Sequence, residues 1–163
     1  MKGMPIFLAL LVLALALPAA AQTRGGFRAE QAVPLPSRPL PISGDLLGWD
    51  VLARVDFKIT PERYVPQFSA ELKALDGKEV RIAGFMLPLE AGKKQKRILL
   101  TRMPVTCTFC LPGGGPESVI EVHLRKPLDY TWEGVVLSGR LLLLPDDPSS
   151  LFYRLVDAAQ VTP

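Results

Sequence analysis

The sequence is poor in the residues on which most catalytic and metal chemistry draws. Its 163 residues hold one histidine, His123, and two cysteines, Cys107 and Cys110. A single imidazole excludes the His-Glu-x-x-His zinc motif, and the chain contains neither a Gly-x-Ser-x-Gly elbow nor a P-loop. A Cys–His hydrolase would need His123 beside Cys107 or Cys110, and nothing in the sequence argues for that. Long blocks of one charge sign are missing as well. The formal net charge of +3 is too small to argue for a nucleic-acid partner. No internal repeat is visible.

What is present begins with an export signal. Lys2 supplies the positive start, residues 5–17 form an uncharged apolar run, Pro18 breaks it, and Ala19-Ala20-Ala21 gives the small-x-small pattern of a signal peptidase site. Residues 1–21 are therefore expected to be a signal peptide cleaved after Ala21, delivering the chain to a bacterial periplasm. The run is shorter than the roughly 20 apolar residues of a membrane span. No basic stop-transfer cluster follows it, and no cysteine lies near the cleavage point to carry a lipid. The apolar content of 48% is inflated by this segment, and loss of Lys2 lowers the net charge of +3 by one.

Residues 22–48 include Val33-Pro-Leu-Pro-Ser-Arg-Pro-Leu-Pro41 and read as an extended, proline-rich tether. The folded domain is expected over residues 49–163. A strand or arm is expected over residues 50–59. Thr60-Pro61-Glu62-Arg63 has the form of a helix start, with a capping hydroxyl, proline at the first position and an acid next, and Pro66 would interrupt that helix. Ser69 would cap a second helical turn over residues 70–75, with Gly77 as its stop. From Lys78 the pattern becomes one of strands, over residues 79–90, 97–103, 118–124, 134–144 and 151–158. Gly84 in the first of these marks a bulge or bend. Gly92-Lys-Lys-Gln-Lys-Arg97 reads as a solvated basic hairpin tip, with an anionic-lipid contact as the lesser alternative, and Asp146-Asp147 as a solvated proline-flanked turn. Trp49, Tyr130 and Trp132 read as core or edge aromatics. A helical segment followed by five short strands predicts a mostly β fold, a small five-stranded OB-like barrel.

The concentrated chemistry lies in Met103-Pro-Val-Thr-Cys-Thr-Phe-Cys-Leu-Pro-Gly-Gly-Gly-Pro116, between the second and third of these strands. Two cysteines at this spacing lie within one turn, so both sulfurs reach one metal ion or each other. A closed zinc site needs further ligands. Alternation places Glu121 and His123 on one face of the next strand, making them the supplementary candidates. Met86 and Met103 could add thioethers, which favour Cu(I) over zinc. Two other chemistries fit the pair. One is thiol–disulfide exchange, although no helix opens at the first cysteine, since Pro112 and three glycines follow at once. The other is a structural disulfide bracing the loop.

Four strings carry a resemblance: Thr60-Pro-Glu-Arg-Tyr-Val-Pro-Gln-Phe68, Gly84-Phe-Met-Leu-Pro-Leu-Glu90, Cys107-Thr-Phe-Cys-Leu-Pro-Gly-Gly114 and Leu151-Phe-Tyr-Arg-Leu-Val-Asp-Ala158. Together they resemble a family of small bacterial exported proteins of unknown function. The resemblance implies association with periplasmic zinc-related, metal-handling proteins and with an ABC transporter of the lipoprotein-release or macrolide-exporter type. Some relatives hold a Cys-x-His pair in this loop. Here Phe109 stands at the histidine's position and Cys110 supplies a second thiolate. A thiol-for-imidazole exchange makes more sense at a metal than in a disulfide. The sequence thus predicts a non-enzymatic periplasmic domain that binds a transition metal, zinc first and copper second, through Cys107 and Cys110, with His123 and Glu121 as lesser ligands. The alternatives are a thiol–disulfide redox protein and a transporter-docking domain with a structural disulfide. No nucleic acid and no stable membrane insertion are expected.

Overall fold

The computed structural model describes residues 36, 38–41, 43–104 and 114–162. In chain order the elements are helix α1 (Trp49–Leu52), strands β1 (Asp56–Ile59) and β2 (Tyr64–Gln67), helix α2 (Ala70–Leu75), strands β3 (Glu79–Pro88) and β4 (Lys94–Thr101), a 3-10 turn (Pro116–Ser118), and strands β5 (Val119–Asp129), β6 (Val135–Leu143) and β7 (Tyr153–Gln160). Among the described residues no helix is long and apolar enough to cross a membrane.

Five strands close into a barrel in the order β3-β4-β5-β7-β6, with β6 returning to β3. Every pair is antiparallel except β5 with β7, which is parallel. The expected mostly β, five-stranded OB-like barrel is therefore what the chain forms. Period-two alternation builds it: Ile120, Val122 and Leu124 of β5 join the core, while Glu121 and His123 point the other way. Ile82, Ile98, Leu100, Leu137, Leu141 and Leu155 complete the interior from the other strands.

Closure requires β3 to serve two partners. Glu79 to Gly84 pair with β6, and Phe85 to Pro88 pair with β4. The change falls at Gly84, where a Cβ would stand 2.6 Å from Leu100 Cγ and 3.0 Å from the Thr101 carbonyl oxygen. The glycine expected to mark a bend thus marks the place where two strands approach too closely for a side chain.

Helix α2 begins as predicted. The Ser69 hydroxyl accepts from Leu72 N at 3.2 Å, and Gly77 takes φ +71 just past the end. Leu72 is fully buried, and Gly77 N donates to Leu141 O at 2.7 Å, which ties the helix to β6. The other expected helix start is a hairpin turn instead. Thr60 N donates to Arg63 O at 2.9 Å, and Arg63 N donates to the Thr60 hydroxyl at 3.1 Å. Pro66 explains the difference: it steers Val65 into extended conformation and sits in β2 opposite Phe57, on a two-stranded sheet that tolerates proline at its edge. Residues 50–52, expected as part of an arm, form α1 together with Trp49. Its Trp49 indole donates to Ala83 O at 2.8 Å, and the buried Tyr153 hydroxyl donates to Leu52 O at 2.7 Å. Ahead of α1, Leu47 N donates to Arg81 O at 2.7 Å, and Asp45 forms an ion pair with Arg81.

Candidate functional site

Cys107 and Cys110 lie outside the described residues, but both feet of their loop are described. Thr101 and Val119 face each other as the last and first residues of β4 and β5. On one side the Thr101 hydroxyl donates to Met103 O at 2.7 Å. On the other, the Ser118 hydroxyl donates to Gly115 O at 2.7 Å, and Gly115 N donates to Glu117 Oε1 at 3.0 Å. Between the feet is a cavity of about 120 Å³ lined by Trp49, Arg102, Met103, Gly114 and Glu117 among others. Glu117 Oε2 is shut off from solvent and accepts no hydrogen bond from the described residues. Its charge and, above all, burial raise the pKa of Tyr153. Met103, named as a thioether candidate, is exposed at this foot, whereas Met86 is in the core.

Glu121 and His123 share a face, as alternation predicted. His123 Nε2 stands 3.1 Å from Glu121 Oε1. Glu121 is only 3% exposed although it lies on the outer wall of the barrel, because charged neighbours cover it. Arg97 Nη2 donates to Oε1 at 2.7 Å from β4, and Arg154 Nε donates to Oε2 at 2.6 Å from β7. Arg154 also reaches Asp147 Oδ2 at 3.4 Å. Burial by itself would raise the Glu121 pKa; the hydrogen bonds from Arg97 and Arg154 and the close His123 imidazole outweigh it and bring the carboxyl down to about 2. The same hydrogen bond raises the pKa of Arg97.

This arrangement locks three strands together with a carboxylate shared between two guanidinium groups. A cation approaching Glu121 would meet both arginines. Among the described residues no group of three or more His, Cys, Asp or Glu side chains is placed to hold a metal ion. The Asp146-Asp147 turn is only half solvated. Asp146 is exposed and paired with Arg63, whereas Asp147 is half-buried and accepts Ser149 N at 2.9 Å as well as Arg154. The sequence reading missed Arg97 and Arg154 as partners of Glu121, and Asp147 as a second partner of Arg154, since they come from separate segments of the chain. It also missed Glu117, whose only local signal is its place just after the glycine run and Pro116.

Strand order, parallel β5–β7 contact and closure place the chain among barrels of the oligonucleotide/oligosaccharide-binding type, with one departure: β5 passes to β6 through residues 130–134 without a helix. A DUF3299 family protein of Pseudomonas aeruginosa PAO1, known from its crystal structure, is similar with a TM-score of 0.45 and 18% sequence identity. The match covers 56% of this chain and 66% of that one, so this chain spans just under two thirds of that protein's length. No protein-family profile and no curated protein matches the sequence.

Proposed function

We propose that the protein is an exported, non-enzymatic accessory domain that binds a transition metal, zinc first, through Cys107 and Cys110, in metal handling alongside an ABC transporter. The observation that supports the reading is the anchoring of the residues on either side of the cysteine segment, at the facing ends of β4 and β5. A segment whose two ends are already held together has less chain entropy left to lose on ligation. The unpartnered Glu117 oxygen in the cavity between the feet adds an oxygen donor nearby. Glu121 and His123 are the weaker members of the ligand set, because Arg97 and Arg154 already occupy the Glu121 carboxylate.

The test is metal analysis and thiol counting on one sample. Reduced protein is expected to retain about one zinc or copper per chain and to lose it in Cys107→Ser. Metal-free protein carrying a stable Cys107–Cys110 disulfide would sink the proposal.

A further inference from the structure

The end of the barrel that carries the β3–β4 turn is constructed unlike the rest of its surface. Gln95 is fully buried and holds the turn from within. Its amide accepts from Glu90 N at 3.1 Å and donates to Glu90 O at 3.0 Å and Gly92 O at 2.7 Å. Gly92 takes φ +98 to complete the bend. A turn fixed in this way displays Lys93, Lys94, Lys96 and Arg97 to solvent, and the register shift across β4–β5 sets the exposed Arg125 and Lys126 beside them. Lys94 pairs with Asp129 at 3.2 Å, Arg97 turns to Glu121, and Arg125 donates to Asp157 O at 3.2 Å. The side chains of Lys93, Lys96 and Lys126 have no hydrogen bond or ion pair among the described residues. Charge is unevenly spread along the chain: residues 43–79 carry seven acids and five bases, whereas this end is dominated by cations.

Apolar groups sit next to these cations. Tyr130 N donates to Lys93 O at 2.7 Å, which brings the β5–β6 loop against the turn. The Tyr130 and Trp132 rings meet nearly edge-on, with centroids 5.1 Å apart. Trp132 is 40% exposed, and Leu89 at the head of the turn is 46% exposed. The basic turn that reads first as solvated in the sequence is thus paired in space with an exposed indole and an aliphatic side chain.

We propose that this end of the barrel docks on an anionic phospholipid surface, with Trp132 and Leu89 entering the headgroup layer and Lys93, Lys94, Lys96, Arg125 and Lys126 lying over the phosphates. Indole rings settle at membrane interfaces, and long basic side chains keep their charges at headgroup level while their stems cover apolar surface. A cluster of roughly four to eight Lys and Arg is what anionic leaflets attract. Leu89 favours lipid over an acidic polysaccharide, since an aliphatic chain gains by leaving water for acyl chains and has no stacking partner on a sugar. The association is peripheral and independent of any metal at the cysteine loop.

The experiment uses protein starting at Gln22, so that the apolar N-terminal run cannot itself enter the bilayer; every contact described above survives that removal. Cosedimentation is measured with vesicles of phosphatidylglycerol mixed with phosphatidylcholine, and with phosphatidylcholine alone. Tryptophan emission is followed in parallel. Trp49 is buried in the core, so a blue shift reports Trp132. Binding and a blue shift are expected with the anionic vesicles only, weakening as salt is raised. The triple variant K93E/K96E/K126E is expected to lower partitioning by about a hundredfold. Trp132→Ala is expected to remove the blue shift and to weaken binding by less. Circular dichroism checks that both variants fold. No partitioning of the parent protein at low salt, partitioning indifferent to the triple variant, or binding to a soluble acidic polysaccharide with none to vesicles would each overturn the proposal.

Discussion

Two carboxylates near the start of β5 have opposite surroundings. Glu121 is covered on the outer wall, and both its oxygens are taken by arginines from neighbouring strands. Glu117 has one oxygen bonded to Gly115 N and the other enclosed with no partner, in the cavity between the feet of the cysteine loop. A buried polar atom left unpaired costs about 1–3 kcal/mol. Satisfaction at Glu121 is what a structural tie looks like, whereas the Glu117 oxygen has no partner among the described residues. The difference teaches that the more buried carboxylate is the less available one.

The contrast can be broken in several ways. Glu121→Ala has the largest expected effect. It leaves Arg97 and Arg154 facing each other without their counter-charge, and should lower stability by about 3 kcal/mol, moderated by the exposure of Arg97. Urea unfolding measures it, and a loss under 1 kcal/mol would mean the cluster is not a tie. Arg154→Gln should cost less, about 1–2 kcal/mol, since Glu121 keeps Arg97 while Asp147 loses a partner. The pH dependence sharpens the point. The Glu121 carboxyl titrates at about 2 in the folded protein against an ordinary 4.5. Its contribution is therefore complete above about pH 4.5, falls as pH drops through this window, and is gone below about 2. The stability gap between the parent protein and Glu121→Gln should close over that range in denaturant titrations at successive pH values. Glu117→Gln should have the smallest effect and the opposite sign, a gain of about 0.5–1 kcal/mol, because the charge it removes lies beside an unsatisfied buried oxygen. A loss as large as that of Glu121→Ala would erase the distinction between the two residues.

Much of the fold was legible because local pattern and tertiary fate agree. Ser69 caps the helix it precedes, Gly77 ends it, and alternation in β5 sorts Ile120, Val122 and Leu124 from Glu121 and His123; Gly84 stands where β3 changes partner. The Thr60 signal misled because a capping hydroxyl followed by proline serves a hairpin turn as well as a helix, and Val65-Pro66 decided between them. At the site, sequence could place Glu121 and His123 on one face but could not see Arg154, which arrives through the parallel β5–β7 pair. Nor could it see that Tyr130 and Trp132 would fold against the lysine turn, since Lys93 and Tyr130 meet through a backbone hydrogen bond that no side-chain pattern encodes.

The facing of Thr101 and Val119 has a further consequence, for how such a chain can change over generations. The two ends of the cysteine segment are brought together by the β4–β5 ladder rather than by the segment itself. Lengthening or rewriting the segment therefore alters loop-closure entropy by only about 0.6 kcal/mol per doubling and leaves the ladder untouched. The barrel acts as a socket that accepts different inserts, so new chemistry can be tried at this position without renegotiating the fold.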